Sequence, residues 1–391
     1  MKVPLLDIGA QLAPLREEIV RAVTSVIDST RYIMGPEVEG LEERIGAYSG
    51  CGYGIGVSSG TDALLVSLMA LEVKPGDLIV TTPYSFFATM GVILRLGARP
   101  LFVDIDPVSF NIEPQGVADL LEGTDLTRVK AILPVHLYGQ CADMDGLMDV
   151  AGQYGLPVIE DAAQAIGAEY PHRKGGETRW QKAGAMGICG CFSFFPSKNL
   201  GGVGDGGMVV SKDQGFADTV RLLRNHGAWP KYYHELVGGN FRLDPIQAAV
   251  LNVKHAHLEE WHQGRRRNAE SYNALFVRSG LVDSGLVRCP VAVYQQNDGA
   301  EKRNYHIYNQ YVIRVQRRDA LRDHLQQNGI GCEVYYPVPL HRQKCLGSDY
   351  GSQSFPWAEQ AADETLALPI YAELTPDMQE YVVEMIKKFY S

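Results

Sequence analysis

The chain has 391 residues, enough for about two or three packed units, and its net charge of −10 disfavours a duplex-DNA-binding protein, which needs a large basic surface. Its seven cysteines are odd in number and scattered, which argues against a disulfide framework. No apolar run approaches the roughly 18–20 residues of a membrane span, and Asp7 interrupts the segment that a signal peptide would need, so we expect a cytoplasmic protein.

The first two thirds of the chain alternate short apolar runs with helical patterns. Two predicted helices, at 11–28 and 38–48, come first. Four apolar runs, each followed by a helical pattern, lie at 53–57, 78–82, 99–104 and 129–135. Three more apolar runs lie at 156–161, 191–195 and 206–210. This alternation predicts an α/β protein with a mostly parallel central sheet and helices on both faces.

From about residue 245 the pattern changes to that of a smaller α+β unit. The predicted elements are a helix at 246–280, a strand at 304–315, a helix at 317–329, a strand at 332–338 and a helix at 375–390. We expect Arg265, Arg266 and Arg267 to form the solvated face of the first of these helices. The predicted domains are therefore residues 1–250 and 251–391. Residues 171–184 are predicted to be an exposed loop.

Small and polar residues follow two of the predicted strands, at the edge where an open α/β sheet binds its ligands. The turn from Ser58 to Asp62 opens a helix, so its free N–H groups favour a phosphate, although an ordinary helix N-cap would look the same. Asp161 ends another strand. A buried carboxylate there needs a cationic partner, and a protonated ring nitrogen of a ligand would supply one.

Lys198 follows the run at 191–195 and precedes a glycine-rich stretch. A partly desolvated lysine at a strand end can have a lowered pKa and act as a nucleophilic amine, whereas a solvated loop lysine would not. The glycines also fit a dinucleotide-binding pattern, but a strand follows them where that pattern requires a helix. Cys189 and Cys191 lack a second ligand pair at zinc-site spacing, so we expect no metal.

The turn at residues 58–62, Asp161 and Lys198 together describe one ligand. It carries a phosphate, a ring nitrogen that can be protonated, and a carbonyl group that condenses with an amine. Pyridoxal 5'-phosphate has these three features. Lys198 would hold it as a Schiff base, and Asp161 would keep the pyridine nitrogen protonated so that the ring accepts electrons.

Motifs spread over nearly the whole chain also indicate a pyridoxal-phosphate-dependent protein. They include RYIMGPEVEGLE, SSGTDAL, TTPYSFFAT, VIEDAAQAIGAEY, SFFPSKNLGGVGDGGMV, GGNFRLDPIQAAVL and YYPVPLH. In combination they closely resemble the DegT/DnrJ/EryC1/StrS family of nucleotide-sugar aminotransferases. The resemblance implies the α/β fold of fold type I pyridoxal-phosphate-dependent transferases, with a large cofactor-binding domain and a smaller C-terminal α+β domain.

The resemblance also implies a set of cofactor-binding residues. Lys198 matches the Schiff-base lysine, Asp161 the carboxylate on the pyridine nitrogen, and Gln164 the neighbour of the ring hydroxyl. The remaining matches are the phosphate-binding Gly60, Thr61 and Ser193, and Phe86, which stacks on the ring.

The same resemblance implies a homodimer with composite active sites. Asn240 would bind the phosphate of the partner subunit's cofactor, and Arg242 would bind the sugar there. Tyr335 and Tyr336 match a region that contacts the nucleotide sugar. Residues 171–184 are longer than the corresponding link in the family. They would form a surface insertion, or extend the substrate cleft with basic side chains.

The implied reaction is a transamination in two halves. An amino donor, expected to be L-glutamate, converts the cofactor to pyridoxamine 5'-phosphate, which then aminates a nucleotide-linked keto sugar. RYIMGPEV and LYGQCADMD resemble relatives that act on UDP- or dTDP-linked 3-keto sugars. The alternatives are a 4-keto-sugar aminotransferase and a non-catalytic regulatory protein. A related dehydratase would have histidine where this chain has Lys198.

Overall fold

A computed structural model describes residues 1–295, 303–347 and 350–391. The chain begins with three helices: α1 (Ile8–Leu12), α2 (Arg16–Ser29) and α3 (Pro36–Ser49). A short 3₁₀ turn that contains Pro14 separates α1 from α2, so the helix predicted at 11–28 is interrupted where proline removes a backbone donor.

Strands and helices then alternate up to β5. They are β1 (Tyr53–Val57), α4 (Gly60–Ala70), β2 (Leu78–Thr81), α5 (Phe87–Arg95), β3 (Arg99–Phe102), α6 (Pro114–Glu122), β4 (Val129–Ile132), α7 (Met144–Tyr154) and β5 (Ile159–Asp161). The next elements are β6 (Glu169–Lys174), β7 (Glu177–Lys182), β8 (Cys189–Ser193), β9 (Gly207–Ser211) and α8 (Gln214–Arg224).

These strands form a mostly parallel sheet in two joined parts. The first part has the order β3-β2-β4 and the second the order β5-β8-β9-β1. Parallel bridges from Ile132 to Val158 and from Val135 to Asp161 join β4 to β5. Among these strands β9 runs in the opposite direction, antiparallel to both β8 and β1. The predicted α/β class is confirmed.

Helices cover both faces of this sheet. Neighbouring strand residues alternate between the faces, so Ile79 and Val80 belong to different apolar clusters. Helices α4, α5 and α8 pack on the side of Ile79, while α3, α6 and α7 pack on the side of Val80. Because the sheet is buried on both faces, its ligand-binding groups are confined to the strand ends.

The C-terminal part contains a second sheet with its own apolar cluster. Its elements are α9 (Pro245–His255), α10 (Leu258–Ser279), β10 (Val287–Arg288), β11 (Tyr311–Val315), α11 (Arg318–Gln327), α12 (Pro356–Glu364), β12 (Thr365–Leu368) and α13 (Pro376–Tyr390). The antiparallel sheet β10-β11-β12 packs against α10, α11 and α13. The predicted domain boundary at 250 falls within α9 and stays a prediction. No helix in the described ranges has both the length and the apolarity that crossing a membrane requires.

The helix predicted at 246–280 is two helices, because the chain turns between His255 and Leu258. The expected solvated face is also wrong for Arg265, which is buried and donates hydrogen bonds to the carbonyl oxygens of Tyr308 and Ile370 at 2.9 and 3.0 Å. Backbone carbonyls from distant segments satisfy this guanidinium, and a local charge pattern does not reveal them.

Residues 171–184 are not a loop but most of an antiparallel hairpin, β6–β7. Gly175 and Gly176 both have positive φ, which suits a tight two-residue turn. The hairpin packs through Tyr170 on Tyr294 and through Trp180 on Tyr305. The strand predicted at 304–315 begins only at Tyr311, and the one predicted at 332–338 is reduced to a single bridge.

Candidate active site

Most of the cofactor-binding residues selected from the sequence follow the carboxyl ends of β1, β2, β5 and β8. Asp161 is the last residue of β5 and lies opposite Cys191 of the parallel strand β8. Lys198 follows the end of β8 by a few residues. Since the carboxyl ends of parallel strands share one edge, Asp161 and Lys198 face the same crevice.

Asp161 is a buried carboxylate with a small set of donors. Its side chain is 4% exposed. Oδ2 accepts a hydrogen bond from Thr89 Oγ1 at 2.8 Å, and Oδ1 accepts one from the Ala163 N–H at 3.2 Å. Burial raises the pKa of Asp161, while these two donors and the nearby charge of Lys198 oppose the rise. A further cationic group beside it would stabilise the ionised form.

Lys198 lies on a compact loop that starts after β8. Its N–H donates to the Phe195 carbonyl at 2.8 Å, and the Gly202 N–H donates to the Phe194 carbonyl at 2.8 Å. Burial lowers the pKa of Lys198 to about 8, against an opposing effect of Asp161. No direct hydrogen bond or ion pair joins the two groups within the described ranges. At neutral pH an appreciable fraction of Lys198 is therefore the nucleophilic amine.

The start of α4 forms the candidate phosphate site. Ser59 caps the helix by accepting a hydrogen bond from the Asp62 N–H at 3.0 Å. The N–H groups of Gly60 and Thr61 lie in the first turn, where the helix offers no carbonyl partner. A Cβ atom at Gly60 would lie 2.6 Å from Ser193 Cβ. Glycine thus allows the end of β8 to approach this turn.

Two aromatic residues and an amide form a second group of contacts, which lies near Asp161. The Phe86 side chain is 57% exposed, and its ring centroid lies 6.1 Å from that of Tyr336. Gln164 accepts a hydrogen bond from the Tyr138 N–H at 2.7 Å, and its Nε2 donates to the Tyr336 hydroxyl at 3.0 Å. The structure therefore brings Tyr336 against two residues predicted to bind the cofactor.

Tyr335 is fixed by its backbone. Its carbonyl oxygen accepts hydrogen bonds from the hydroxyls of Tyr84, at 2.7 Å, and Tyr138. Sequence reasoning missed this pair of tyrosines and also missed Thr89. Tyr84 and Thr89 lie within the quoted TTPYSFFAT motif and Tyr138 lies within LYGQCADMD, so the motifs offered a signal for all three.

In the described ranges the Asn240 and Arg242 side chains form no hydrogen bond with this cluster, although the backbone of Arg242 forms a bridge with Val57 at the end of β1. Arg242 Nη1 donates to Asn225 Oδ1 at 2.6 Å, and the backbones of Asn225 and Asn240 form a bridge. The Asn240 side chain is exposed. Their predicted role in the partner subunit's site stays a prediction.

The residues present fit pyridoxal phosphate on their own chemistry. A lysine with a lowered pKa and a buried carboxylate face each other without direct pairing. Free N–H groups lie at the start of α4, and an exposed aromatic ring borders the crevice. These groups match the aldehyde, the ring nitrogen, the phosphate and the ring face of that cofactor.

The model of the DegT/DnrJ/EryC1/StrS aminotransferase family matches residues 14–387. The chain belongs to this family. Its members are pyridoxal-phosphate-dependent sugar aminotransferases, so the predicted family, enzyme class and cofactor are confirmed.

Three relatives of this aminotransferase are similar over nearly their whole length. A pleiotropic regulatory protein of Geobacillus stearothermophilus is 46% identical, with 100% of this chain and 99% of the relative covered. The UDP-N-acetyl-3-dehydro-alpha-D-glucosamine 3-aminotransferase of Acidithiobacillus ferrooxidans is 39% identical, with 99% and 97% covered. The dTDP-3-amino-3,4,6-trideoxy-alpha-D-glucose transaminase of Streptomyces venezuelae is 38% identical, with 99% and 96% covered.

Two solved structures resemble this aminotransferase closely. DesV of S. venezuelae, in complex with a ketimine intermediate, has a TM-score of 0.88 and 37% identity, with 99% of this chain and 98% of that chain covered. NtdA of Bacillus subtilis, with bound pyridoxamine phosphate, has a TM-score of 0.86 and 29% identity, with 100% and 85% covered.

Proposed function

We propose that this protein transfers an amino group, with L-glutamate as donor, to a UDP- or dTDP-linked 3-keto sugar. The observation that carries the proposal is that Lys198 and Asp161 lie within electrostatic range of each other at one sheet edge without a direct bond, which leaves room for an electron-accepting ring between them. The relatives from A. ferrooxidans and S. venezuelae support the sugar, since both names specify a nucleotide-linked sugar and position 3.

Each residue has a distinct task in this reaction. When bound, pyridoxal phosphate supplies an aldehyde that accepts the amino group and a ring that accepts electrons. Lys198, at the rim of the crevice, takes a proton from one carbon atom and returns it to another as general base and acid. Asp161 holds the ring nitrogen in its protonated state. Phe86 would stack on the ring face of the cofactor.

A 4-keto sugar of the same class is the alternative substrate. Running the reaction backwards, with 2-oxoglutarate as acceptor and a panel of 3-amino and 4-amino nucleotide sugars, distinguishes the two. We expect glutamate to form with the 3-amino sugars, because two similar relatives carry position 3 in their names. Product from the 4-amino sugars alone would contradict the proposed position, and product from neither would contradict the sugar class.

A regulatory role is the second candidate, and the name of the relative from G. stearothermophilus favours it. The visible absorbance of the purified protein distinguishes an aminotransferase from a regulator. An aminotransferase loaded with pyridoxal phosphate changes its visible absorbance when glutamate is added. A regulator without catalysis would leave the absorbance unchanged.

A homodimer with shared sites is also part of the proposal. The segment before Asn240 exposes several large apolar side chains, which is unusual for a surface that faces water. Trp229 is 71% exposed and Val237 is 92% exposed, and Tyr232 and Tyr233 are similar. We infer that a second copy covers this segment and that Arg242 then reaches the site of that copy.

Mixing two inactive variants tests the shared site. In a mixture of Lys198→Ala and Arg242→Ala subunits, each mixed dimer has one site with both changes and one with neither. Random pairing should therefore restore about a quarter of the wild-type turnover in a two-fold symmetric dimer. Turnover that stays at the level of the separate variants would mean that Arg242 serves its own chain.

A further inference from the structure

A buried lysine, Lys254, contacts the loop that carries Lys198. Its side chain is 1% exposed, and its Nζ donates a hydrogen bond to the Gly201 carbonyl oxygen. Nζ also lies 5.7 Å from the centroid of the Trp261 ring. No carboxylate in the described ranges pairs with it, and burial lowers its pKa to about 8. Burying an ammonium group without an ionic partner costs stability. A lysine at this position therefore requires a reason, which its contacts supply.

The contacted loop is tightly folded. A Cβ atom at Gly201 would lie 2.4 Å from the Pro196 carbonyl oxygen, so the two ends of the Lys198 turn touch at this point. The Gly202 N–H also donates a hydrogen bond to the carbonyl oxygen of Phe194, just before the loop, at 2.8 Å. The Gly201 carbonyl therefore lies where the turn that carries Lys198 closes.

Helix α9 holds the exit of this loop at two places. Gln247 Oε1 accepts a hydrogen bond from the Val203 N–H at 2.9 Å, and Lys254 holds the Gly201 carbonyl. The two side chains are seven residues apart, so they project from the same face of the helix. The loop is thus tied to a rigid element at both sides of Gly202.

We propose that Lys254 is a positioning residue that, with Gln247, holds the loop so that the amine of Lys198 points at the reacting carbon of the cofactor. The inference rests on the proposed role of Lys198. Lys254 does not touch the reacting atoms in this proposal; it acts through the Gly201 carbonyl.

The choice of lysine distinguishes positioning from packing. Methionine has a similar length and fills the same apolar space without the cost of desolvating a charge. If the site only needed to be filled, methionine would serve as well or better. Lysine adds a donor that reaches a loop carbonyl, and that carbonyl lies three residues after Lys198.

The Lys254→Met variant tests the proposal in the full chain reloaded with pyridoxal phosphate. The first readout is the rate at which Lys198 becomes covalently attached, trapped with borohydride and measured by mass spectrometry. In this step the lysine nitrogen bonds the aldehyde carbon and one water leaves. We expect the rate to fall about 10- to 100-fold, because small misplacements of a reacting group have effects of this size. The melting temperature before reloading should stay level or rise.

Lys212→Met is the matched control, since Lys212 also donates to a loop carbonyl, that of Ala185, at 2.6 Å, but outside the crevice. It should attach the cofactor at the wild-type rate. A wild-type rate in Lys254→Met would overturn the proposal. If wild-type protein itself failed to attach, the proposed function would fail instead.

Gln247→Leu keeps the test decisive if Lys254→Met does not fold. It removes only a bond to the N–H of Val203, which lies at the surface, so little loss of stability is expected. We expect slower attachment, with an unchanged KM for the amino donor. Attachment at the wild-type rate in this variant would show that the tethers do not orient Lys198.

Discussion

Lys198→Ala should lose turnover by about 10⁴-fold or more, because one residue supplies both the covalent link and the general acid–base step. The bound cofactor should also lose the absorbance of its lysine adduct. Steady-state rates and the visible spectrum of the purified variant check both effects. Undiminished turnover would remove Lys198 from the mechanism.

Two controls separate the amine from the charge. Lys198→Arg keeps a positive charge but offers no comparable nucleophile, since guanidinium stays protonated, so it should be as inactive as alanine. Lys74→Ala removes a surface lysine and should leave turnover intact. If arginine restored the rate, the role of residue 198 would be electrostatic.

The pH dependence of cofactor attachment gives an independent check on Lys198. Its pKa is lowered from 10.5 to about 8, and only the uncharged amine attacks an aldehyde. Attachment to the wild-type chain should therefore speed up as the pH rises and level off above about 8. A rate that still climbed steeply toward the pKa of a free lysine would mean that the loop does not desolvate this group.

The main features of the fold and site were accessible from the sequence because their causes are local or topological. Alternating apolar runs and helices predict a parallel sheet, and a parallel sheet brings its strand ends to one edge. Asp161 ends one apolar run and Lys198 follows another, so their proximity follows from the pairing of β5 with β8. The motifs then added the identity of the family.

Contacts between distant segments could not be predicted in this way. Thr89 binds Asp161 from 72 positions away, and Gln164 binds Tyr336 from 172 positions away. The burial of Arg265 depends on carbonyl groups of residues that no local pattern connects to it. The hydrogen bond from Lys254 to the Gly201 carbonyl is another such contact, because the sequence places Lys254 in an ordinary amphipathic helix.

Asp161→Asn should lower the rate of each half-reaction by about 10²–10³-fold, the usual effect of removing one preorganised electrostatic contact. Asparagine has the same shape, and its one amide oxygen can accept the hydrogen bond of either Thr89 Oγ1 or the Ala163 N–H, so the fold should be kept with the loss of one hydrogen bond. It cannot carry the negative charge that stabilises a protonated ring nitrogen. Single-turnover rates with glutamate, followed by absorbance, measure the loss directly.

The control for this variant is Asp218→Asn, which changes a surface carboxylate paired with Arg221 and should leave the rates unchanged. Burial raises the pKa of Asp161, whereas Lys198 and the Thr89 hydroxyl favour its ionised form. In the wild-type enzyme the half-reaction should therefore slow as the pH falls through the pKa of Asp161, and Asp161→Asn should lack that acid limb. An acid limb that persisted in Asp161→Asn would assign the titration to another group, and normal rates would mean that the ring nitrogen needs no carboxylate at this position.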